Sequence, residues 1–127
     1  MGVEESKHKF HVDLLVYQKS MDLVDEIYKI SKTFPDDEKF GLINQMRRAS
    51  VSIPSNIAEE AGRRSKKEFI QFLFIALGSL NELQTQLQIA QRLKYISDTT
   101  ILSDLMIYIR RMLLKLIQNL ENNITKE

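Results

Sequence analysis

Residues 65–90, SKKEFIQFLFIALGSLNELQTQLQIA, decide the fold. Ser65-Lys66-Lys67-Glu68 is a capping box: the serine side chain accepts from the backbone N–H three residues on, the glutamate reaches back, and a helix opens. Behind it Phe69, Leu73, Ala76, Leu80, Leu83, Leu87 and Ala90 recur at steps of three and four in an unbroken heptad-like stripe. Each large member contributes about 1.5–3 kcal/mol when fully buried.

Working upstream, Leu14, Tyr17, Met21, Val24 and Tyr28 repeat with the same period between Asp13 and Thr33, and Val16, Leu23, Ile27 and Ile30 flank them on a neighbouring stripe. Pro35 ends that helix. Phe34-Pro35-Asp36-Asp37-Glu38 then reads as a turn feeding a second helix, its three acids set against the positive dipole end. The second core stripe is Leu42, Met46, Ala49, Ile53 and Ile57, and the pattern runs to Gly62. Pro54 falls inside it and removes the hydrogen bond to the Ser50 carbonyl, which predicts a kink. Two helices divided there would make Ile53 an N-cap, a role isoleucine fills poorly. Downstream, a last helix starts near Ser97 or Asp98 and carries Leu102, Leu105, Ile109, Met112 and Leu116, with Met106, Leu113 and Leu120 beside them. Residues 122–127 read as a frayed end.

Four helices of roughly 21–28 residues, about 31–42 Å long and joined by short loops, must pack antiparallel. The expectation is an all-α, single up-down-up-down four-helix bundle over residues 1–127, with a kinked second helix and a loose tail over residues 1–10. Leu73, Leu80, Leu83, Leu87, Ile53, Ile57, Leu105 and Ile109 are expected in one core.

Composition agrees with that reading and narrows the chemistry. Hydrophobic residues make up 43% and charged residues 28%, an ordinary globular balance; Gly 4 and Pro 2 in 127 residues are too few breakers for a many-stranded β fold. Cys 0 removes disulfides, thiolate catalysis and cysteine-based metal sites, and suits a reducing cytoplasm. The longest apolar run, Phe72 to Leu77, is far shorter than the roughly 20 residues of a membrane span. His8 and His11 are spaced like helical metal ligands but lie in the tail, with no framed carboxylate, so neither a metal nor another cofactor is expected. A di-iron bundle needs inward Glu-x-x-His pairs on two helices, and helices 2 to 4 contain no histidine. No catalytic signature is present, and an enzyme is not expected.

Three constellations invite a binding role. The stretch from Phe69 to Leu77 is apolar at eight of nine positions, so either helix 3 is simply the most buried of the four or a greasy side of it faces away from its own core and needs a cover. Phe69, Ile70, Phe72, Phe74, Ile75 and Leu77 are the candidates for a subunit interface. On helix 2, Arg48, Ser52 and Glu59 fall on one line with Gln45, Asn56 and Arg63 close by, a polar stripe suited to a register-fixing seam or a ligand groove. Arg63, Arg64, Lys66 and Lys67 place four cations where helix 2 gives way to helix 3, with Arg47 and Arg48 as further candidates for phosphate contact. The net charge of only +1 argues against a general nucleic-acid protein.

The run from Gln45 to Glu59, QMRRASVSIPSNIAE, is long and specific. With Phe69, the Ile75-Ala76-Leu77-Gly78-Ser79-Leu80 run, Glu82 and the early Leu15-Val16-Tyr17-Gln18-Lys19, it resembles the bacterial four-helix-bundle proteins encoded in intervening sequences of 23S ribosomal RNA genes. The resemblance extends from about Phe10 to Gln118. It departs after Glu59, where the family pattern usually continues with glycine and this chain has Glu60 and Ala61 before Gly62-Arg63. The resemblance implies a homo-oligomer built as a ring of five bundles, a pentamer. It also implies relatives that are accessory subunits of a reverse transcriptase in diversity-generating retroelements, so RNA, DNA or such an enzyme are the implied partners and a membrane is not. Ser52, Asn56, Glu59, Gly62 and Arg63 match the family motif as structural or interaction positions.

Overall fold

The computed structural model describes residues 14–62 and 65–126. Among them are four α-helices and no strand: α1 (Leu15–Ser31), α2 (Leu42–Ile57), α3 (Lys66–Arg92) and α4 (Thr100–Lys126). Short 3-10 turns cover Asp36–Glu38 and Ala58–Gly62. Each helix packs against the next, α1 also packs against α4, and the most extensive contact joins α2 to α3. This arrangement is compatible with a four-helix bundle.

The start of α2 differs from the sequence expectation. Asp36, Asp37 and Glu38 form a separate 3-10 turn, and α-geometry begins only after Gly41. Glu38 nevertheless serves α2, because its Oε1 accepts the Leu42 N–H at 3.0 Å, capping from the preceding turn. A Cβ at position 41 would lie 2.8 Å from that oxygen, so glycine leaves room for the cap. Pro54 sits inside α2, where Ser55 Oγ donates to the Val51 carbonyl and Asn56 Nδ2 to the Ser52 carbonyl, the next two carbonyls after that of Ser50, whose backbone bond the proline removes.

Ser65 Oγ accepts the Glu68 N–H at 3.2 Å and opens α3, the serine half of the expected capping box. At its far end, Lys94 adopts φ 64, and the Tyr95 and Lys94 N–H groups return to the carbonyls of Ala90 and Gln91. This is a Schellman closure with lysine in the place glycine usually takes. Asp98 Oδ1 then accepts the Thr100 N–H and α4 begins. α4 continues through residues 122–126, which read as frayed in the sequence; Thr125 Oγ1 bonds the Glu121 carbonyl and Ile124 packs against the core. The tail over residues 1–10 lies outside the described residues.

The α3 stripe is buried throughout, and Ile53, Ile57 and Ile109 join it in one core. Two other stripes are rotated from their expected positions. α1 buries Val16, Ser20, Leu23, Ile27 and Ser31, while Met21 and Tyr28 stay exposed. The serines can turn inward because their hydroxyls return to their own helix, Ser20 to the Val16 carbonyl and Ser31 to that of Tyr28. α4 centres its face on Leu102, Met106, Ile109, Leu113 and Ile117, which leaves Leu105, Met112 and Leu116 half-buried at the margin.

Candidate functional site

The polar stripe of α2 faces α3. Ser52 Oγ and Ser79 Oγ share a hydrogen bond of 2.8 Å, and Asn56 Nδ2 donates to both the Ser52 hydroxyl (3.0 Å) and its carbonyl (2.7 Å). The serine pair thus joins the two helices, with Asn56 holding Ser52 from within α2. Above this link an open groove of about 310 Å³ is lined by Asn44, Gln45 and Arg48 from α2 and by Ser79 and Glu82 from α3. Opposite charges face it from its two walls. Glu59 is exposed one turn past the link.

Arg47 and Arg48, adjacent in sequence, do different work. The Arg47 guanidinium lies 4.6 Å from the centroid of the Tyr28 ring, and its Nε donates to Ser31 Oγ at 2.9 Å, so this side chain fastens α2 to α1. Arg48 is exposed between the α2–α3 groove and a shallower one toward Tyr28. Lys66 and Lys67 stand at the start of α3, beside the other end of α2, about 14 Å along the axis from Arg48 even before the 3-10 turn is counted. The expected cations therefore divide into two groups instead of one patch. Arg63 and Arg64 lie outside the described residues, as do His8 and His11, and of Gly62 only the backbone turn is described.

The expected interface also divides. Phe69 and Ile70 are buried in the chain's own core, so both are withdrawn from an outward surface. Phe72 and Leu77 are half-buried, whereas Phe74 and Ile75 are 49% and 51% exposed. The first two residues begin the buried stripe, and helical rotation carries the next apolar pair round to the solvent side.

Two arrangements were not anticipated from the sequence. Tyr95 donates its hydroxyl to Glu38 Oε2 at 2.8 Å and its ring lies 5.3 Å from that of Phe34, joining the α1–α2 and α3–α4 connections. The Leu42 N–H and then the Tyr95 hydroxyl hold the Glu38 carboxyl below its ordinary value, and the same carboxylate pushes the Tyr95 phenol up. Across the other seam of α3, Arg110 is bonded by Asn81 and Gln84. Both pairings join residues far apart in sequence, so neither left a signal in the pattern of a single helix. Among the described residues there is no group of three or more His, Cys, Asp or Glu side chains placed to hold a metal, and no helix is long and apolar enough to cross a membrane.

Comparison with known proteins agrees with the architecture. No curated protein matches the chain. A crystal structure of a protein with unknown function from the S23 ribosomal protein family of Bacteroides thetaiotaomicron VPI-5482 superposes with a TM-score of 0.74 at 28% identity, covering 82% of this chain and 96% of that one. The 23S rRNA-intervening sequence protein family matches residues 12–115, and with that match over the helices just described the chain belongs to this family.

Proposed function

We propose that the protein is a non-enzymatic, self-associating interaction module of the cytoplasm that binds nucleic acid or a nucleic-acid enzyme such as a reverse transcriptase. The outer face of α3 carries the reading. From Phe69 to Gln91 the only charged residue is Glu82, in a chain that is 28% charged, and Phe74 and Ile75 are exposed on that helix. Depletion of charge around exposed apolar side chains is the compositional mark of an interface core. Gly78 lies on the same exposed side, where a Cβ would meet nothing within 4 Å. A mid-helix glycine costs roughly 0.5–1 kcal/mol, and close approach by a second helix offsets that cost.

The family resemblance sharpens self-association to a pentamer. Five copies of Arg48 and of the Arg63, Arg64, Lys66 and Lys67 cluster would face a polyanion together, so that individually weak phosphate contacts gain avidity. Little base specificity is expected. A second reading, a structural homo-oligomer with an unrelated protein partner, is favoured by Arg47, whose guanidinium is engaged within the chain.

Light scattering tests assembly: a pentamer supports the reading, a dimer or tetramer removes the ring, and a monomer at micromolar concentration removes the interface. Fluorescent single-stranded RNA and duplex DNA, titrated at two salt concentrations, test the cations. Binding absent at low salt, or unchanged when Arg63, Arg64, Lys66 and Lys67 become glutamine, moves the conclusion to the structural assembly.

A further inference from the structure

Arg110 stands midway along α4 with its guanidinium turned onto α3, where Nη1 donates to Asn81 Oδ1 and Nη2 to Gln84 Oε1 at 2.7 Å. Both acceptors are neutral amides, so the cation is hydrogen-bonded without being neutralised. The residues one turn away on its own helix are Met106, Ile107, Leu113 and Leu114, none of them acidic. Glu82, the acid nearest on α3, lines the groove toward α2 instead and bonds Gln86. From Arg110 a groove of about 280 Å³ follows the α3–α4 seam, walled by Gln84, Gln88 and Gln91 on one side and by Thr99 and Ser103 on the other. Leu87 and Met106 supply apolar surface, and no carboxylate lines it.

These properties select a class of ligand. From Thr99 to Arg110 the helical rise is about 16 Å, the length of about five residues of extended chain. The three glutamines step along that line; Gln88 and Gln91 each offer both a donor and an acceptor, and Gln84, whose Oε1 accepts from Arg110, offers its N–H donors to the alternating N–H and C=O groups of a peptide. Nucleic acid would want several cations and a stacking ring; the groove has one cation and no aromatic wall.

We propose that the α3–α4 groove binds an extended peptide segment of about five residues with a carboxylate seated on Arg110. It does not use the exposed Phe74 and Ile75 of the proposed assembly face or the cations of the proposed nucleic-acid surface, so either reading can fail without the other.

The side-chain amides of Gln84, Gln88 and Gln91 report on occupancy in NMR titrations of the full chain. Three pentapeptide pools serve as probes: acetylated peptides with a free C-terminal carboxylate and no acidic residue, amidated peptides with one aspartate, and amidated peptides with no acid. Response to the first pool alone assigns the site to a chain terminus, and response to the second alone assigns it to an acidic side chain. Arg110→Gln is expected to weaken that binding about tenfold or more, the loss of a charge-assisted contact. Gln88→Leu, which leaves Arg110 in place, is expected to weaken it as well and serves if the arginine variant fails to fold. Equal response to all three pools, no response to any, or binding unchanged in both variants overturns the proposal. Amide shifts that depend on protein concentration without peptide also overturn it, since a second copy then fills the groove.

Discussion

α3 meets its two neighbours in opposite ways. Toward α2 the contact passes through Ser52 and Ser79, whose hydroxyls touch, with Asn56 closing the link. Toward α4 the outer contact passes through Arg110, whose long side chain reaches across to the amides of Asn81 and Gln84. The short hydroxyls meet directly between the helices; the guanidinium spans them, and a trough lies beyond it. The chain therefore builds a firm seam and an accessible one on two sides of a single helix, using polar residues for both.

Substitutions can break or sharpen that contrast. Leu80, fully buried on the face of α3 between the two seams, should be the most costly position, with Leu80→Ala losing about 2–5 kcal/mol in urea denaturation through lost burial and a cavity. Ser79→Leu should lose about 1–3 kcal/mol, because it wedges the firm seam and removes the partner of Ser52. Gln88→Leu, exposed in the accessible seam, should change stability by no more than about 0.5 kcal/mol. Equal costs for these two would erase the distinction. Gln86 is a useful intermediate: it is buried, its Oε1 has no hydrogen-bond partner, and its amide reaches Glu82 at 3.4 Å. Gln86→Leu should raise the melting temperature by a few degrees, about 1 kcal/mol, as the unmet acceptor disappears.

A smaller effect concerns pH. The Glu38 carboxyl is depressed in the folded state, so its contribution is present above its unfolded-state value and fades as pH falls through the folded one. The Tyr95 phenol is raised, so its contribution is present below its unfolded-state value and fades as pH climbs through the folded one. Denaturation at a series of pH values should show Glu38→Gln flattening the acid limb and Tyr95→Phe the alkaline limb. A wild-type acid limb retained in Glu38→Gln would separate that carboxylate from the stability of the fold.

Where one apolar stripe stood alone, as on α3, periodicity named the buried face residue by residue. α1 carries two adjacent apolar stripes, and the choice between them rested on whether Ser20 and Ser31 could enter the core, which depends on hydrogen bonds that periodicity does not encode. The polar line through Arg48, Ser52 and Asn56 was legible because it ran along one helix; its partner Ser79, 27 residues from Ser52, was not. A list of candidate cations carries no distances: Arg48 stands mid-helix, about 14 Å along α2 from the end that meets the start of α3, where Lys66 lies. The engagement of Arg47 was not legible, because its aromatic support from Tyr28 comes from another helix.

The bond between Glu38 and Tyr95 closes a circuit. Two helical hairpins, α1–α2 and α3–α4, share the α2–α3 contact, the most extensive in the molecule, and the Glu38–Tyr95 bond with the Phe34–Tyr95 ring pair ties their tips together as well. Connections are the parts of a fold that open most readily. Here neither tip can open without stripping the other of its partner, so the two connections are expected to open as one unit.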